Sequence, residues 1–322
     1  MSDERRQRTN ILHPFADHAF GGPWTEIKLD AVEYYLGCYT AALTRRPFDL
    51  WYIDGFAGTG DRTVDTVDGG LFAGKPIAHR RETLAGSARR ALAVAPPFHH
   101  FTFIEDDPER CAALEQLRKD NQQKDIRVIE GDANDVLKGM IAREPWSKKD
   151  AGLARGVVFL DPYALQVEWS TLAALAQTKI LDVWYLFPLR DVVRQLAHRY
   201  SSIGPKEPKL DRVLGPEWRE LYTLPAQEQD WFQTNLWGNE DQEPRRDATS
   251  QQVEKWFQGR IAAMFPYASA PLPILTAPGR QAFSLFLAVA NPSPAAIDLA
   301  KHFASYVTKN YGPQASRRTS GL

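Results

Sequence analysis

The feature that most constrains the fold is the stretch 50–60, LWYIDGFAGTG, where a short apolar run ends at an acidic residue and opens into a glycine-rich turn. The run predicts a buried strand. Gly55, Gly58 and Gly60 lack a Cβ atom, so the backbone can turn sharply there and approach a ligand, while Asp54 offers its carboxylate to the ligand's polar groups. The pattern predicts the first strand and loop of a nucleotide-type site, although an ordinary tight turn would also explain it.

Apolar runs recur along the chain and alternate with segments of helical spacing. A helix is predicted at 25–43, with its apolar face at Ile27, Ala31, Tyr34, Tyr35, Cys38 and Ala42. After the first strand, the sequence predicts strands at 99–105, 126–132, 156–162 and 182–188, and helices at 76–95, 108–121 and 136–143. Residues 61–76, rich in Asp, Thr and Gly, predict a long loop. This alternation predicts a mostly parallel sheet with helices on both faces.

The last third of the chain breaks the alternation. Residues 190–250 are polar, contain several prolines and carry Trp218, Trp231 and Trp237, so we interpret them as an insertion for substrate or partner recognition. A helix at 250–265 follows, and then two strands, 272–276 and 282–290, joined by a turn short enough for a hairpin. A final helix is predicted at 294–310.

Five strands followed by an antiparallel hairpin are typical of the seven-stranded, Rossmann-like sheet of class I S-adenosylmethionine (SAM) methyltransferases. The spacing Asp-Gly-x-x-Gly-x-Gly at 54–60 also resembles their first motif. The predicted organisation is an N-terminal extension (1–24), a SAM-binding core (25–189), the insertion (190–250), a second part of the core with the hairpin (251–311) and a polar tail (312–322).

Composition excludes several classes of protein. The 322 residues carry a net charge of -1, so any contact with nucleic acid must come from a local basic patch. Candidates are the doublets Arg45-Arg46, Arg80-Arg81, Arg89-Arg90 and Arg245-Arg246, which solvated helix faces would explain equally. Two cysteines cannot build a disulfide framework, no histidine pair has metal-site spacing, and no run has the roughly 20 apolar residues of a membrane span. We therefore expect a cytoplasmic protein without a metal.

Acidic residues end two further predicted strands. Glu105 is placed to accept hydrogen bonds from ribose hydroxyls, because both carboxylate oxygens accept, and Asp106 is the alternative. Asp132 can accept from an adenine amine, with Ala133 or Asn134 against the ring. The carboxyl ends of parallel strands meet at one edge of a sheet, which favours a shared site over solvated loop carboxylates.

Asp161-Pro162-Tyr163, after the fourth predicted strand, is the candidate catalytic element. In amino methyltransferases a (D/N)PP(Y/F) tetrapeptide holds the target amine and stacks its aromatic ring on a flat substrate. This sequence has one proline where that motif has two, which leaves the base specificity open. A helix cap at Asp161 with Pro162 in the first helical turn would also explain the tripeptide.

These motifs together resemble the three-Cys-motif partner family, a bacterial group of methyltransferase-like proteins. The resemblance rests on KLDAVEYYLGCY, YIDGFAGTG, GKPIAH, FIEDD, GDAND and FLDPY, which occur in family order between about residues 28 and 188. It implies a protein partner that carries a three-cysteine motif. It also implies that SAM is bound by Asp54, Gly55, Phe56, Gly58, Gly60, Glu105, Asp106, Asp132 and Ala133, and that Asp161, Pro162 and Tyr163 face the acceptor.

Two hypotheses follow. The first is a SAM-dependent methyltransferase that acts on a nitrogen of a nucleic-acid base through Asp161 and Tyr163. The second is a catalytically degenerate SAM-binding protein that serves as an interaction partner, with residues 190–250 as its docking surface. A nucleotide-binding nuclease or oxidoreductase is disfavoured by the lack of a metal-ligand cluster and by the terminal hairpin.

Overall fold

A computed structural model describes residues 23–70, 75–143, 153–224, 243–277 and 279–311. Nearly all of the predicted N-terminal extension, the polar tail, Trp231 and Trp237 lie outside these residues. The strands are β1 Asp49–Asp54, β2 Asp61–Gly70, β3 Lys75–Ala85, β4 His100–Glu105, β5 Asp125–Glu130, β6 Ala154–Leu160, β7 Leu181–Phe187, β8 Tyr267–Ala268, β9 Leu272–Ala277 and β10 Arg280–Val289. The helices are α1 Pro23–Leu43, α2 Ser87–Ala93, α3 Pro108–Asp120, α4 Ala133–Arg143, α5 Trp169–Thr178, α6 Leu189–Gln195, α7 Glu207–Leu214, α8 Ser250–Met264 and α9 Pro294–Tyr311.

The main sheet has the strand order β5-β4-β1-β6-β7-β10. The first five of these strands run parallel, and β10 is antiparallel to β7. Both β9 and the two-residue β8 pair antiparallel with β10, along successive parts of its outer edge. The five predicted core strands and the predicted terminal hairpin are therefore confirmed. The molecule has the mixed α/β, Rossmann-like architecture of class I methyltransferases.

The central strands are buried on both faces, which explains their continuous apolar sequences. All seven residues of β7 are buried, and so are five of the six in β1 and in β4. Alternate side chains enter two separate cores: Ile53 and Val158 join one, and Tyr52 and Phe159 join the other. Helices cover each face, as the alternating pattern predicts.

The sheet changes direction at β1. From β1 the chain moves outward to β4 and then β5, and it returns to the other side of β1 as β6, followed by β7. A crevice outside the carboxyl ends of the strands forms at such a switch point, and it is the usual ligand site of an open parallel sheet. The loops after β1 and β6, which carry the glycine-rich turn and Asp161, flank this crevice.

The prediction for residues 61–95 was wrong. Instead of a long loop and a helix, the chain forms an antiparallel hairpin of β2 and β3, in which Asp61 pairs with Ala85 and Val67 with His79. The hairpin is a separate two-stranded sheet, and only α2 remains of the predicted helix. The β-branched residues of TVDTV favour a strand, and this preference outweighs the turn-forming Asp and Gly residues around them.

Of the predicted insertion at 190–250, the described residues 190–224 and 243–250 add no strand to the main sheet. Residues 189–224 form α6, α7 and short 3₁₀ turns, and their apolar side chains enter the same core as Ile53 and Val158. Trp218 is fully buried, and its indole N–H donates to Asp211 at 2.8 Å. The described part of this segment is therefore a layer of the core.

Candidate functional site

The glycine-rich loop is anchored to both neighbours of β1. The Gly55 amide donates to the Phe159 carbonyl at 2.9 Å, and the Ala57 amide donates to the Ile104 carbonyl at 3.0 Å. A Cβ atom at Gly55 would lie 2.8 Å from the Leu160 side chain, so any larger residue would force Leu160 to shift. Gly60 has φ +79°, which also favours glycine. The backbone thus turns directly over the switch point of the sheet.

Asp54 lies beneath this loop and is fully buried. Its carboxylate accepts hydrogen bonds from the Phe56 amide at 3.2 Å and from the Tyr52 hydroxyl at 3.3 Å, and the Ser87 side chain also hydrogen-bonds to it. Burial raises the pKa of the Asp54 carboxyl to about 7, against the opposing effect of these hydrogen bonds, and the nearby charge of Asp161 raises it further. Asp54 therefore organises the loop from below.

Glu105, at the end of β4, is tied to the same loop. Its carboxylate accepts from the Gly58 amide at 2.8 Å and from the Asp107 amide at 3.3 Å. The side chain is only 5% exposed, so ribose hydroxyls can reach it only when the loop moves. Asp106, the alternative ribose acceptor, is exposed.

Asp132 lies at the start of α4, which begins three residues earlier than the sequence predicts. One of its carboxylate oxygens accepts from the Asn134 amide at 2.8 Å and from the Asp135 amide at 3.2 Å. These bonds satisfy amides of the first helical turn. Asp132 is exposed and Ala133 is buried. A helix cap explains Asp132 without a ligand, so its adenine contact remains a prediction.

Asn134, which the sequence suggested as a neighbour of adenine, has a structural role. Its buried side-chain amide donates to the Gln166 carbonyl at 2.9 Å. Its oxygen accepts from the Glu168 amide at 2.9 Å and from the Thr171 hydroxyl at 2.8 Å. Asn134 thereby fixes the loop between β6 and α5 against α4.

This loop carries the candidate catalytic tripeptide, and it is not helical. α5 begins only at Trp169, with Glu168 in the N-cap position, so Asp161 does not cap a helix. Pro162 is buried, whereas Tyr163 is 64% exposed. The Tyr163 amide donates to the Gln166 side chain at 2.8 Å, which closes a short turn that presents the ring at the surface.

Asp161 has a partner that the sequence analysis missed. The Lys28 ammonium, from α1, donates to Asp161 Oδ2 at 2.5 Å. The two side chains are 13% and 21% exposed, respectively. The signal was present in the sequence, because Lys28 lies in phase with the buried Val32, Tyr35 and Tyr39 of α1. The predicted apolar face was instead drawn through Ile27 and Ala42, both of which are exposed.

The structure thus brings together some predicted residues and not others. The glycine loop, Asp54 and Glu105 form one hydrogen-bonded unit, and Asp161 lies close enough for its charge to act on Asp54. Asp106 follows β4 and is exposed, and Asp132 follows β5 and accepts from amides in the first turn of α4. A groove of about 390 Å³ between α1 and Tyr311 lies elsewhere, lined by Tyr34 and Cys38.

The described arginine doublets differ: Arg45 and Arg46 are exposed, whereas Arg89, Arg90 and Arg246 are engaged within the protein. Arg90 pairs with Glu26, with Asp30 at 2.6 Å and with Glu33 at 2.8 Å, and Arg89 pairs with Asp61. Arg246 donates to backbone carbonyls. Within the described ranges, no three His, Cys, Asp or Glu side chains form a cluster suited to a metal ion. The described helices also include none with the length and apolarity needed to cross a membrane.

Comparisons with known proteins leave the family open. No protein-family model matches the chain, and no curated protein does. A Legionella pneumophila protein of family DUF519 has a TM-score of 0.49 at 14% identity and covers 92% of this chain and 95% of its own. A SAM-dependent methyltransferase from Clostridium acetobutylicum has a TM-score of 0.33 at 8% identity, with 81% and 92% covered. A putative methyltransferase from Escherichia coli has a TM-score of 0.27 at 17% identity, with 48% and 66% covered.

These similarities are distant, and the assignment of the fold rests on the sheet topology alone. They do not include the three-Cys-motif partner family, so membership of that family stays a prediction.

Proposed function

We propose that the chain is a cytoplasmic SAM-dependent methyltransferase that acts on an amine nitrogen of a nucleic-acid base. The observation that carries the proposal is the loop after β6. Asp161 and Tyr163 lie on a non-helical turn after β6, where Asp161 does not cap a helix and is close enough for its charge to act on Asp54, and the ring of Tyr163 is exposed. An acidic acceptor and an aromatic surface at this point suit a flat amine.

The cofactor site would be formed by the glycine loop 55–60, Glu105 and the strand end at Asp54. The fit is supported by the space above Gly58, where an added Cβ atom would meet nothing within 4 Å, and by the carboxylate of Glu105 directly beside that glycine. Glu105 would exchange its bond from Gly58 for ribose hydroxyls, and Asp54 would hold the turn. SAM, when bound, supplies an electrophilic sulfonium methyl group.

The chain's own residues would position the acceptor. Asp161 accepts a hydrogen bond from the amine and directs its lone pair, and Tyr163 stacks on the ring, a contact worth about 1–3 kcal/mol per base. Asp161 would thereby hold the amine nitrogen toward the methyl group that SAM would supply, with the carbon–sulfur electron pair left on sulfur, and the proton lost by the methylated amine would pass to water. Alignment, rather than a strong base, supplies most of the rate.

One observation favours the second candidate function, a SAM-binding partner of a three-cysteine-motif protein without catalysis. Lys28 already engages Asp161, and Gly58 already engages Glu105, so both ligand-facing carboxylates already have a partner within the chain. A partner protein could then be required to open the site. This candidate predicts cofactor binding without methyl transfer by the isolated chain.

Methyl transfer from tritiated SAM to single-stranded DNA and RNA, followed by nucleoside analysis, separates the two. The proposal predicts labelled N-methyl nucleosides with the wild type. Asp161→Ala should abolish the label while S-adenosylhomocysteine binding is kept. Tyr163→Ala should lower kcat/KM by about 10- to 100-fold through lost stacking. Tyr163→Phe, which keeps the ring, is the matched control and should stay near wild type. Normal transfer by Asp161→Ala would refute its role.

A further inference from the structure

Lys28 lies on the buried face of α1, where a lysine is unusual. It is in phase with Val32, Tyr35 and Tyr39, which are 2–4% exposed. Its own side chain is only 13% exposed. Removing an ammonium group from water is costly unless it is paired, and its pairing reaches across to Asp161 in the candidate acceptor site. Helix α1 thus places the Lys28 ammonium beside Asp161.

Among the described residues, the pair retains unused hydrogen-bonding capacity. Lys28 donates one of its three ammonium hydrogens to Asp161 Oδ2. A carboxylate accepts on both oxygens, so Asp161 keeps acceptor capacity at Oδ1 while Lys28 keeps donors beside it. The two residues therefore present an acceptor and a donor side by side. Because the pair is net neutral, it adds little unfavourable charge beside a nitrogen that becomes positive during methyl transfer.

We propose that Lys28 and Asp161 together read the edge of an aminated heteroaromatic ring, with Lys28 as a specificity-determining residue. Asp161 accepts from the exocyclic amine, and Lys28 donates to the ring nitrogen next to it. On the Watson–Crick edge, adenine and cytosine carry this pattern of an amine donor beside a ring acceptor, whereas guanine presents the N1–H donor beside its amine and an alkyl amine such as a lysine side chain presents no acceptor. The inference rests on the proposed function and, for recognition of that edge, narrows its substrate to adenine and cytosine.

The test removes the ring nitrogen and the ammonium group separately and together. Short single-stranded oligonucleotides each contain one target position. It holds adenine, cytosine or one of the analogues 1-deazaadenine, 7-deazaadenine and 3-deazacytosine. Lys28→Met keeps the length of the side chain without the donors, and Lys28→Arg restores a donor. Lys301→Met, at an exposed position of α9, is the matched control. Binding of S-adenosylhomocysteine reports that each variant is folded.

For wild type, kcat/KM should fall by about 10- to 100-fold when the ring nitrogen next to the amine is replaced. In Lys28→Met, kcat/KM on the natural base should fall by a similar factor, and the deaza analogue should cause no further loss. Lys28→Arg should restore part of the difference, and Lys301→Met should match wild type.

A deaza penalty of equal size in wild type and Lys28→Met would overturn the inference while leaving methyl transfer to bases intact. Absence of any deaza penalty in wild type would overturn it in the same way. Absence of methyl transfer to every oligonucleotide, with S-adenosylhomocysteine bound, would overturn the proposed function, and the inference would fall with it.

Discussion

Two buried aspartates show how position alone separates a site residue from a structural one. Asp54 ends β1 at the crevice, whereas Asp182 lies near the start of β7, at the opposite end of the sheet. Burial raises the pKa of each carboxyl to about 7. Asp182 accepts a hydrogen bond from the Tyr35 hydroxyl at 2.7 Å, and this bond and the Arg155 charge limit the rise. A raised pKa therefore does not by itself mark a functional residue here.

Asp182 should make the stability of the fold depend on pH. Its pKa is about 7 when folded and near 3.8 when unfolded, so between these values the folded chain binds the extra proton. The free energy of unfolding should then fall as pH rises from about 4 to 7, by up to about 1.4 kcal/mol per pH unit from this residue. Asp182→Asn should remove this share and make the profile less steep, while the share of Asp54, whose pKa is also about 7, remains; urea unfolding at several pH values measures the difference. Asp298→Asn, at an exposed position, should leave the profile unchanged; equal profiles for both variants would contradict the assignment.

Sequence reasoning at the residue scale found Glu105 and Asp161 because strand ends are easily located from apolar runs. The helical phase of α1 marked Lys28 as a residue of the buried face, but no sequence pattern could pair it with Asp161. The partner of Asp161 is 133 positions away, and only the packing of α1 brings the two together. The helix cap at Asp132 was also missed, because the sequence predicted that helix to begin at residue 136 and because a cap and a ligand contact use the same residue type.

At the level of elements, the hairpin of β2 and β3 begins directly after the glycine loop. Its base is closed by Gly60 and Gly86, whose amide donates to the Gly60 carbonyl at 2.9 Å. Gly86 has φ -79°, which suits any residue, but an added Cβ atom would lie 2.8 Å from the Gly60 oxygen. The Thr59 hydroxyl also donates to the Asp61 carbonyl of β2 at 2.6 Å, so the hairpin is coupled to the loop that we assign to the cofactor.

Gly86→Ala should therefore destabilise the fold by about 1–3 kcal/mol and weaken binding of S-adenosylhomocysteine, because Gly60 must move. Gly37→Ala, in the middle of α1 where an added Cβ atom meets nothing within 4 Å, is the control. It should stabilise by up to about 1 kcal/mol and leave binding unchanged. Urea unfolding and calorimetric titration measure both effects. The coupling would be disproved if the two variants bound S-adenosylhomocysteine equally well.

The elements that sequence reasoning predicted correctly are those with a strong period. The buried strands of the core have uninterrupted apolar sequences, and the helices between them are bounded by clear caps such as Asp107 before α3. The prediction for the hairpin failed because its composition, rich in Asp, Thr and Gly, resembles that of a loop. β8 is only two residues long and carries no signal of its own.

Across the whole molecule, the segment after β7 is bound into the main core. Leu214 of α7 is fully buried in the cluster that contains Ile53 of β1, whereas Leu224, ten positions later, is 61% exposed. Removing residues 190–250 should therefore unfold the chain rather than release a docking module. The sequence could not predict this, because polar composition does not reveal which few apolar residues reach the core.

A matched pair of leucines tests this integration. Leu214→Ala should lower the free energy of unfolding by about 2–5 kcal/mol, and circular dichroism and tryptophan fluorescence should report one coincident transition. Leu224→Ala should change it by less than about 0.5 kcal/mol. Two separated transitions in Leu214→Ala, with that of the sheet unshifted, would instead show an independent module.

The central claim is that the switch point of this sheet binds SAM. Calorimetric titration with S-adenosylhomocysteine, beside NADH and with Glu105→Gln as the variant, tests it most directly. The account predicts micromolar binding of S-adenosylhomocysteine, none of NADH, and binding about 10- to 100-fold weaker in Glu105→Gln because the ribose loses a charged acceptor. Binding of NADH instead, or S-adenosylhomocysteine affinity unchanged in Glu105→Gln, would contradict the account.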